Sequence, residues 1–531
     1  MASTTSDINE RRLVALDRAL IFSIWLILAA ALCWFEVVWR DEVRALSIAL
    51  QGNSFVDMFR HLHGEGHAAL WYILLRAGYL VTGAPLVLKA LAFAIAATAA
   101  YFLVYRLHLP RSVQLLALFG NFSIYEYAAM SRNYGISMLL VFMIAAAYER
   151  WKHNSLVLGL LLACLANTNV HSVVLVCGLL AYWFLDLALA KPRPALSEYR
   201  YFAANAAIAV FGIVLCAVTV YPPFNDAAQI NRGSDGLAML VLRAVIFPGL
   251  NFIEFYPTIV ISQLAEHRAL FVVFVPLMSV LIYGSVVSLA ARPAAMVAAF
   301  LTLVGLSLLF TVVYPGSYRH EALWLVFMIA MIALSADIQR TPIDASTPSK
   351  TRRAVIKFGR LCFLILLALQ VVSGIEKAKQ VLVTDTPLSR SQDFSNLVLS
   401  RPDLRDAIII ADPDYLVEAL PYYIPNRTYL LREGRFGDVV KFTKNAKLEL
   451  SLADILQAAR KLHDDQQVPV IILLSQRLDL IAAPVAMSEG YNWQLTITAA
   501  EITEFRDATE LIRRFGAVAG SDETFDAYLL K

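Results

Sequence analysis

The chain has 531 residues, 59% of them hydrophobic and only 16% charged, with a formal net charge of +3. Soluble domains carry about 25% charged residues, so a wholly soluble protein is excluded. A net charge this small gives no electrostatic footprint for nucleic acid. The five cysteines (Cys33, Cys164, Cys177, Cys216 and Cys362) all lie in apolar runs, with neither metal-ligand nor disulfide spacing, and read as packing residues.

In chain order, the first apolar run is Leu20–Val38, about 20 residues and enough to cross a hydrocarbon core of roughly 30 Å. It is too long for a signal peptide, and Leu32 before Cys33 is not the small residue of a lipoprotein cleavage site, so it reads as a retained anchor. Arg11, Arg12 and Arg18 precede it, which places the N-terminus in the cytoplasm and Asp41 outside. Directly after the run come Arg40-Asp41-Glu42 and a loop holding His61, His63, Glu65 and His67. Ala68–Thr82 is apolar but contains Arg76. Because Leu86–Arg106 ends in a basic, cytoplasmic-type cluster, Ala68–Thr82 is read as a helix lying in the outer interface.

The spans then alternate. Ser112–Ala129 runs outward to Ser131-Arg132-Asn133-Tyr134, Gly135–Tyr148 inward, Leu156–Val170 outward to His171, Ser172–Ala190 inward and Phe202–Val220 outward. A second outer segment, 222–268, holds a semi-apolar stretch broken by Pro248 and Pro257. Leu270–Leu289 goes in, Ala294–Tyr314 comes out at Ser317-Tyr318-Arg319-His320, Ala322–Ala336 goes in, and Val355–Gly374 exits. This is a polytopic α-helical protein of about eleven spans over 1–374. From Ile375 the composition turns soluble: Ala407–Ala411 and Val468–Leu474 read as buried strands, Ser451–Leu462 as a helix capped by Ser451 with Asp454, and Trp493–Ala499 as an alternating strand. The 375–531 region is expected to be an α/β domain on the outer face.

Two adjacent carboxylates beside a span are costly against lipid, so Asp41 and Glu42 belong at an aqueous site. Asp41 could also simply cap a helix over Val43–Leu50. A carboxylate there can serve as general base on an acceptor hydroxyl or amine. Glu65 lies between Gly64 and Gly66, which suit close approach of backbone to a ligand. His63, Glu65 and His67 are read as substrate or phosphate contacts, with plain loop structure as the other reading. Their spacing matches no strong zinc motif, so no cofactor is assigned and a divalent metal is the less favoured reading. Arg132, His171, Arg319 and His320 fall at outer ends of spans, with Tyr134 and Tyr318 beside them. Arginine binds phosphate in a bidentate way, so this group fits a lipid-phosphate pocket opposite the acidic loop. Arg40, Arg44 and Arg60 lie on the outer side against the charge rule, which is consistent with binding anionic ligands.

The arrangement of Asp41-Glu42 after span one, Gly66-His67-Ala68-Ala69-Leu70-Trp71-Tyr72, Ser131-Arg132-Asn133-Tyr134 and Arg319-His320 resembles the GT-C superfamily of membrane glycosyltransferases. The likeness is greatest to protein O-mannosyltransferases and lipid A aminoarabinose transferases. It covers roughly Leu20–Val372, and departs from the family in having Ala68 and Ala69 where proline is usual. The resemblance implies a polyprenyl-phosphate-sugar donor, inversion at the transferred carbon, Asp41 as base with Glu42 supporting it, and a His67 stretch on an outer juxtamembrane helix. It implies a bacterial inner-membrane protein whose acceptor is a periplasmic glycan, lipid A or protein. A transporter or flippase of lipid-linked sugars, and a sensor or scaffold using the outer domain, are the other readings. The ionisable residues gather at one face with no inverted repeat, which disfavours transport.

Overall fold

The structure is a computed structural model, and it describes residues 2–62, 65–221, 236–338, 350–384, 386–516 and 518–531. Helix α1 (Ala2–Phe35) contains the first apolar run, and α2 (Arg40–Ala49), α3 (Phe55–His61) and α4 (Leu70–Thr82) form the first connecting segment. Then follow α5 (Val87–Tyr101), α6 (Arg111–Leu118), α7 (Tyr134–Trp151), α8 (Val157–Ala166), α9 (Val170–Leu189) and α10 (Leu196–Val220). After the short α11 (Leu237–Val241) and α12 (Thr258–Glu266) come α13 (Phe271–Val287), α14 (Pro293–Val312), α15 (Tyr318–Ile338) and α16 (Lys350–Leu382).

Among the described residues eight helices are long and apolar enough to cross a membrane. Three of the eleven expected spans take other forms. Helix α7 is 18 residues long but ends in Glu149-Arg150. The run Ser112–Ala129 is broken: α6 stops at Leu118, and a π-helical turn over Phe122–Glu126 follows buried Gly120 and Asn121. Non-helical backbone at that depth is tolerated where protein covers it. Helix α8 has 10 residues, about 15 Å, and turns at Asn167 into α9.

Helix α15 is the most enclosed, its side chains from Ala322 to Met331 having no exposure. It packs against α7, α9 and α14. Without a hydrophobic drive in lipid, helices pair through small residues that let backbones approach. A Cβ at Gly178 of α9 would collide with Thr302 of α14 and Phe327 of α15, and one at Gly359 of α16 would meet the backbone of α13.

Helix α4 has 13 residues, about 20 Å, too short to span and so in keeping with an interfacial helix. It packs on α2. Arg76, buried at its centre, donates to the carbonyls of Ala49 (3.0 Å), Gln51 (3.0 Å) and Gly52 (2.9 Å), which caps the C-terminus of α2. This arginine has a structural partner set, as cations at a helix C-terminus do.

The C-terminal domain begins after α16, which runs on to Leu382, past the change in composition at Ile375. It contains α17 (Ser391–Ser400), α18 (Leu452–Gln466) and α19 (Ala499–Ala508). Its strands are β1 (Ile408–Asp412), β2 (Thr428–Leu430), β3 (Arg435–Phe436), β4 (Glu449–Ser451), β5 (Val470–Leu474), β6 (Val485–Ser488), β7 (Gln494–Ile497), β8 (Thr509–Phe515) and β9 (Phe525–Leu530). One sheet has the order β3-β2-β1-β5-β9-β8, with β2, β1 and β5 parallel, and a small sheet has the order β4-β7-β6. Strands β1 and β5 are buried along their whole length, because Ile409 and Ile471 enter one core and Ile408 and Ile472 another beneath α18. That two-sided burial is why they read as continuous apolar runs. Ser451 accepts the Asp454 N–H (3.0 Å) and Asp454 accepts the Ser451 N–H (2.8 Å), the expected capping box.

Replacing Arg76 with Ala is expected to destabilise the α2–α4 unit by about 1–3 kcal/mol, since it leaves the buried Ala49 carbonyl and the partly buried Gln51 and Gly52 contacts without their charged donor. A thermal-unfolding scan of the purified chain would read this as a lowered midpoint, which the Arg76→Lys variant restores only in part.

Candidate active site

Asp41 is set by the start of α2. Trp39 is the N-cap, in extended conformation, so Asp41 is the second helical residue and does not itself cap the helix. Glu42 does that work. One oxygen of its carboxylate accepts the Trp39 N–H (3.0 Å) and the other accepts the Ser131 N–H (2.5 Å), and the side chain is fully buried. Burial raises its pKa, against the pull of these two amides. Glu42 therefore ties the Ser131-Arg132 turn to the first turn of α2, and acts as a positioning residue.

The consequence is that Arg132 Nη1 reaches Asp41 Oδ2 at 2.5 Å, and Arg319, from the first turn of α15, places Nη2 3.7 Å from the same oxygen. Arg40 Nε lies 3.8 Å from the other oxygen. Burial alone would raise the Asp41 pKa, but Arg132, Arg319 and Arg40 outweigh it and hold the carboxyl well below the usual carboxylate range. The group remains open to solvent, Asp41 retaining 28% side-chain exposure against 10% for Arg132 and 20% for Arg319. The Nε of Arg319 is buried and has no partner.

Behind these charges lies an aromatic and imidazole cluster. The Ser317 N–H donates to His320 Nδ1 (2.9 Å), so a neutral ring carries its proton on Nε2 and donates it to the Tyr134 hydroxyl (2.7 Å). The Tyr134 hydroxyl hydrogen is thereby free for another acceptor. His171 stacks on His320 at 4.3 Å, with both of its nitrogens buried and unpartnered. His67 meets Tyr134 edge-on at 6.3 Å, and burial, with the charge of Arg132, pushes its pKa down to about 3. The turn is held from below: Asn133 donates to the Thr168 carbonyl (2.7 Å), Asn169 to Ser137 (3.0 Å), and Asn169 N-caps α9 just before His171. Tyr127 donates to the Arg319 carbonyl (2.7 Å). Sequence reasoning missed Ser317, Asn133, Asn169 and Tyr127. Ser317, three residues before His320, and Asn169, three before Ser172, carry readable capping signals.

Of the residues proposed from sequence, Asp41, Glu42, Arg132, Tyr134, His171, Arg319, His320 and His67 converge at one end of the bundle. His63 lies outside the described residues. Glu65 is taken by Arg44, which holds it through two bonds of 2.5 and 3.0 Å. Among the described residues no three His, Cys, Asp or Glu side chains are grouped to hold a metal ion.

The arginines read as anion binders also have protein partners. Arg40 pairs with Asp522 (2.6 Å) and lies over Tyr415 (4.2 Å), and its backbone N–H donates to Glu523 (3.1 Å). Arg44 pairs with Glu418 as well as Glu65, and sits over Phe442 at 5.2 Å. Arg60 faces Asp57 on the surface. Arg40 and Arg44 are four residues apart, on one face of α2. They clasp the C-terminal domain on either side of Asp41.

Burial pushes Glu418 and Glu523 up to about 7. A carboxyl whose folded pKa exceeds its unfolded value, about 4.3 for Glu, favours the fold while protonated. That contribution is complete below the unfolded value and is lost as pH rises through about 7. The unfolding midpoint is expected to fall between roughly pH 5 and pH 8. Glu418→Gln should flatten that slope in a pH series of thermal scans.

Fold and site together define a multi-pass helical membrane protein with a mixed α/β domain set over a charged cluster at one end of its bundle. No protein-family model and no curated protein matches the chain. Among solved structures it is similar over nearly its full length to ArnT from Cupriavidus metallidurans. The form bound to undecaprenyl phosphate gives a TM-score of 0.40 at 13% identity, covering 96% of this chain and 97% of that one. The apo form gives 0.41 at 12%, covering 100% and 98%. Scores this low do not carry function from one chain to the other.

Proposed function

We propose that the chain is an integral membrane glycosyltransferase that moves a sugar from a polyprenyl-phosphate donor to an acceptor hydroxyl or amine. The single observation that supports this reading is one solvent-reachable carboxylate, Asp41, held between Arg132 and Arg319 where the first span ends. The placement proposed is the bacterial inner membrane, with the N-terminus cytoplasmic and the C-terminal domain periplasmic.

In this mechanism the donor phosphate binds Arg132 and Arg319. A lipid phosphate is a good leaving group, so no general acid is required, unlike the two-carboxylate glycosidases. As the bond from the anomeric carbon to the phosphate oxygen breaks, the two guanidiniums neutralise the charge that develops there. The acceptor oxygen or nitrogen attacks from the opposite face and inverts the centre, and its proton passes to Asp41. Paired with Arg132, Asp41 is a weak base. A phosphate that draws the arginines to itself relieves Asp41 of their pull, so donor binding raises its pKa toward the range of a working base. Base activation is thus tied to donor occupancy. The groups assigned to the reaction, Asp41, Arg132 and Arg319, share one end of the bundle, which favours transfer over transport.

Asp41→Asn is expected to lower sugar transfer by about 10²–10⁴-fold while leaving polyprenyl-phosphate binding intact. Arg132→Ala should instead weaken polyprenyl-phosphate binding by roughly 10–100-fold, the loss of a charge-assisted contact. Transfer assays in membranes and lipid-phosphate titration of the purified chain separate the two effects. Full activity in the Asp41 variant contradicts the assignment.

A further inference from the structure

The C-terminal domain joins a strained aromatic residue, through Phe442, to α2, the helix that carries Asp41. Tyr491 (φ 60°, ψ 33°) and Asn492 (φ 60°) both have left-handed backbone, which non-glycine residues adopt at a cost of about 1–3 kcal/mol each. The turn is anchored at both ends. The Glu489 N–H donates to the Trp493 carbonyl (2.8 Å), and the Glu489 carboxylate pairs with Arg432 (3.0 Å). Arg432 is itself fully buried, bonded to Asp412 (2.8 Å) and lying 4.7 Å over the Trp493 ring. This is heavy support for a turn whose product is one ring at the surface. That ring stacks on Phe442 at 3.8 Å and 23°, and Phe442 rests in turn on Arg44 of the helix that carries Asp41. Despite the stack, Tyr491 keeps 40% exposure. Burial raises its hydroxyl pKa, and the negative charge of Asp41 raises it further.

We propose that Tyr491 is the platform on which the acceptor stacks, and that the acceptor offers a pyranose ring there. This rests on the transferase reading above. The donor phosphate is assigned to the arginines from the bundle, so the acceptor meets Asp41 from the side of the soluble domain. A pyranose has an apolar face of C–H bonds and a rim of hydroxyls. An aromatic face held near a carboxylate matches both, packing the C–H face while the rim reaches the base. A protein serine or a lipid tail has no flat face to match. The turn sets the direction in which the side chain leaves the backbone and the stack on Phe442 sets the ring, so the platform is pre-formed.

The test applies the full-length chain in detergent micelles to an array of surface-linked glycans, and in parallel titrates it with undecaprenyl phosphate. The wild type should be captured by pyranose-terminated glycans. Tyr491→Ala should lose at least about fivefold of that capture, Tyr491→Phe should retain it, and both should bind undecaprenyl phosphate as the wild type does. A wild type that binds undecaprenyl phosphate but no glycan overturns the proposal, as does undiminished capture by Tyr491→Ala. A wild type that binds neither overturns the transferase reading, and this inference with it.

Discussion

A buried-edge carboxylate shared by two guanidiniums is the constraint on which the rest of the molecule turns. Bringing Asp41, Arg132 and Arg319 together requires the first turn of α2, the turn before α7 and the first turn of α15 to meet at one depth. Each approach has its own device. Glu42 binds the Ser131 amide, Tyr127 binds the Arg319 carbonyl, and the polar network of Asn133, Ser137, Thr168 and Asn169 fixes the turn below. A buried charge is tolerable only when paired, so the cluster also favours this arrangement of the helices.

The second dependence is of the membrane part on the soluble part. Arg40 and Arg44 leave the same face of α2 and end on Asp522, Glu523 and Glu418, with Tyr415 and Phe442 beneath them. Asp41 sits between those two arginines in sequence. Asp41 and the contacts to the C-terminal domain are therefore carried on one short helix. The domain is thereby more than a cover: it sets the position of α2, and its Tyr491 turn forms part of the surroundings of Asp41.

Much of the membrane layout was legible because its causes are local. Span length, basic flanks and parity are properties of contiguous residues, and they put Asp41, Arg132, His171 and Arg319 at one end, where the structure also has them. The Ser451–Asp454 capping box and the apolar β1 and β5 were readable for the same reason. What escaped was pairing between distant segments. Nothing near Arg40 announces Glu523, which is 483 residues away, and nothing near Arg44 announces Glu418. So those arginines read as ligand binders and Glu65 as a substrate contact. The break at Gly120-Asn121 was passed over because the run as a whole is apolar, although Ser123 and Glu126 follow it. The strain at Tyr491 was invisible because positive φ at a tyrosine is imposed by its anchors, Arg432 and Trp493, and not by its own preference.

The most direct measurement is an experimental structure of the chain with undecaprenyl phosphate bound. The phosphate is expected within hydrogen-bonding distance of both Arg132 and Arg319, with the Asp41–Arg132 contact lengthened from 2.5 Å and the carboxylate facing the soluble domain. A phosphate seated away from these arginines, or an Asp41–Arg132 pair left closed with the lipid in place, would contradict it.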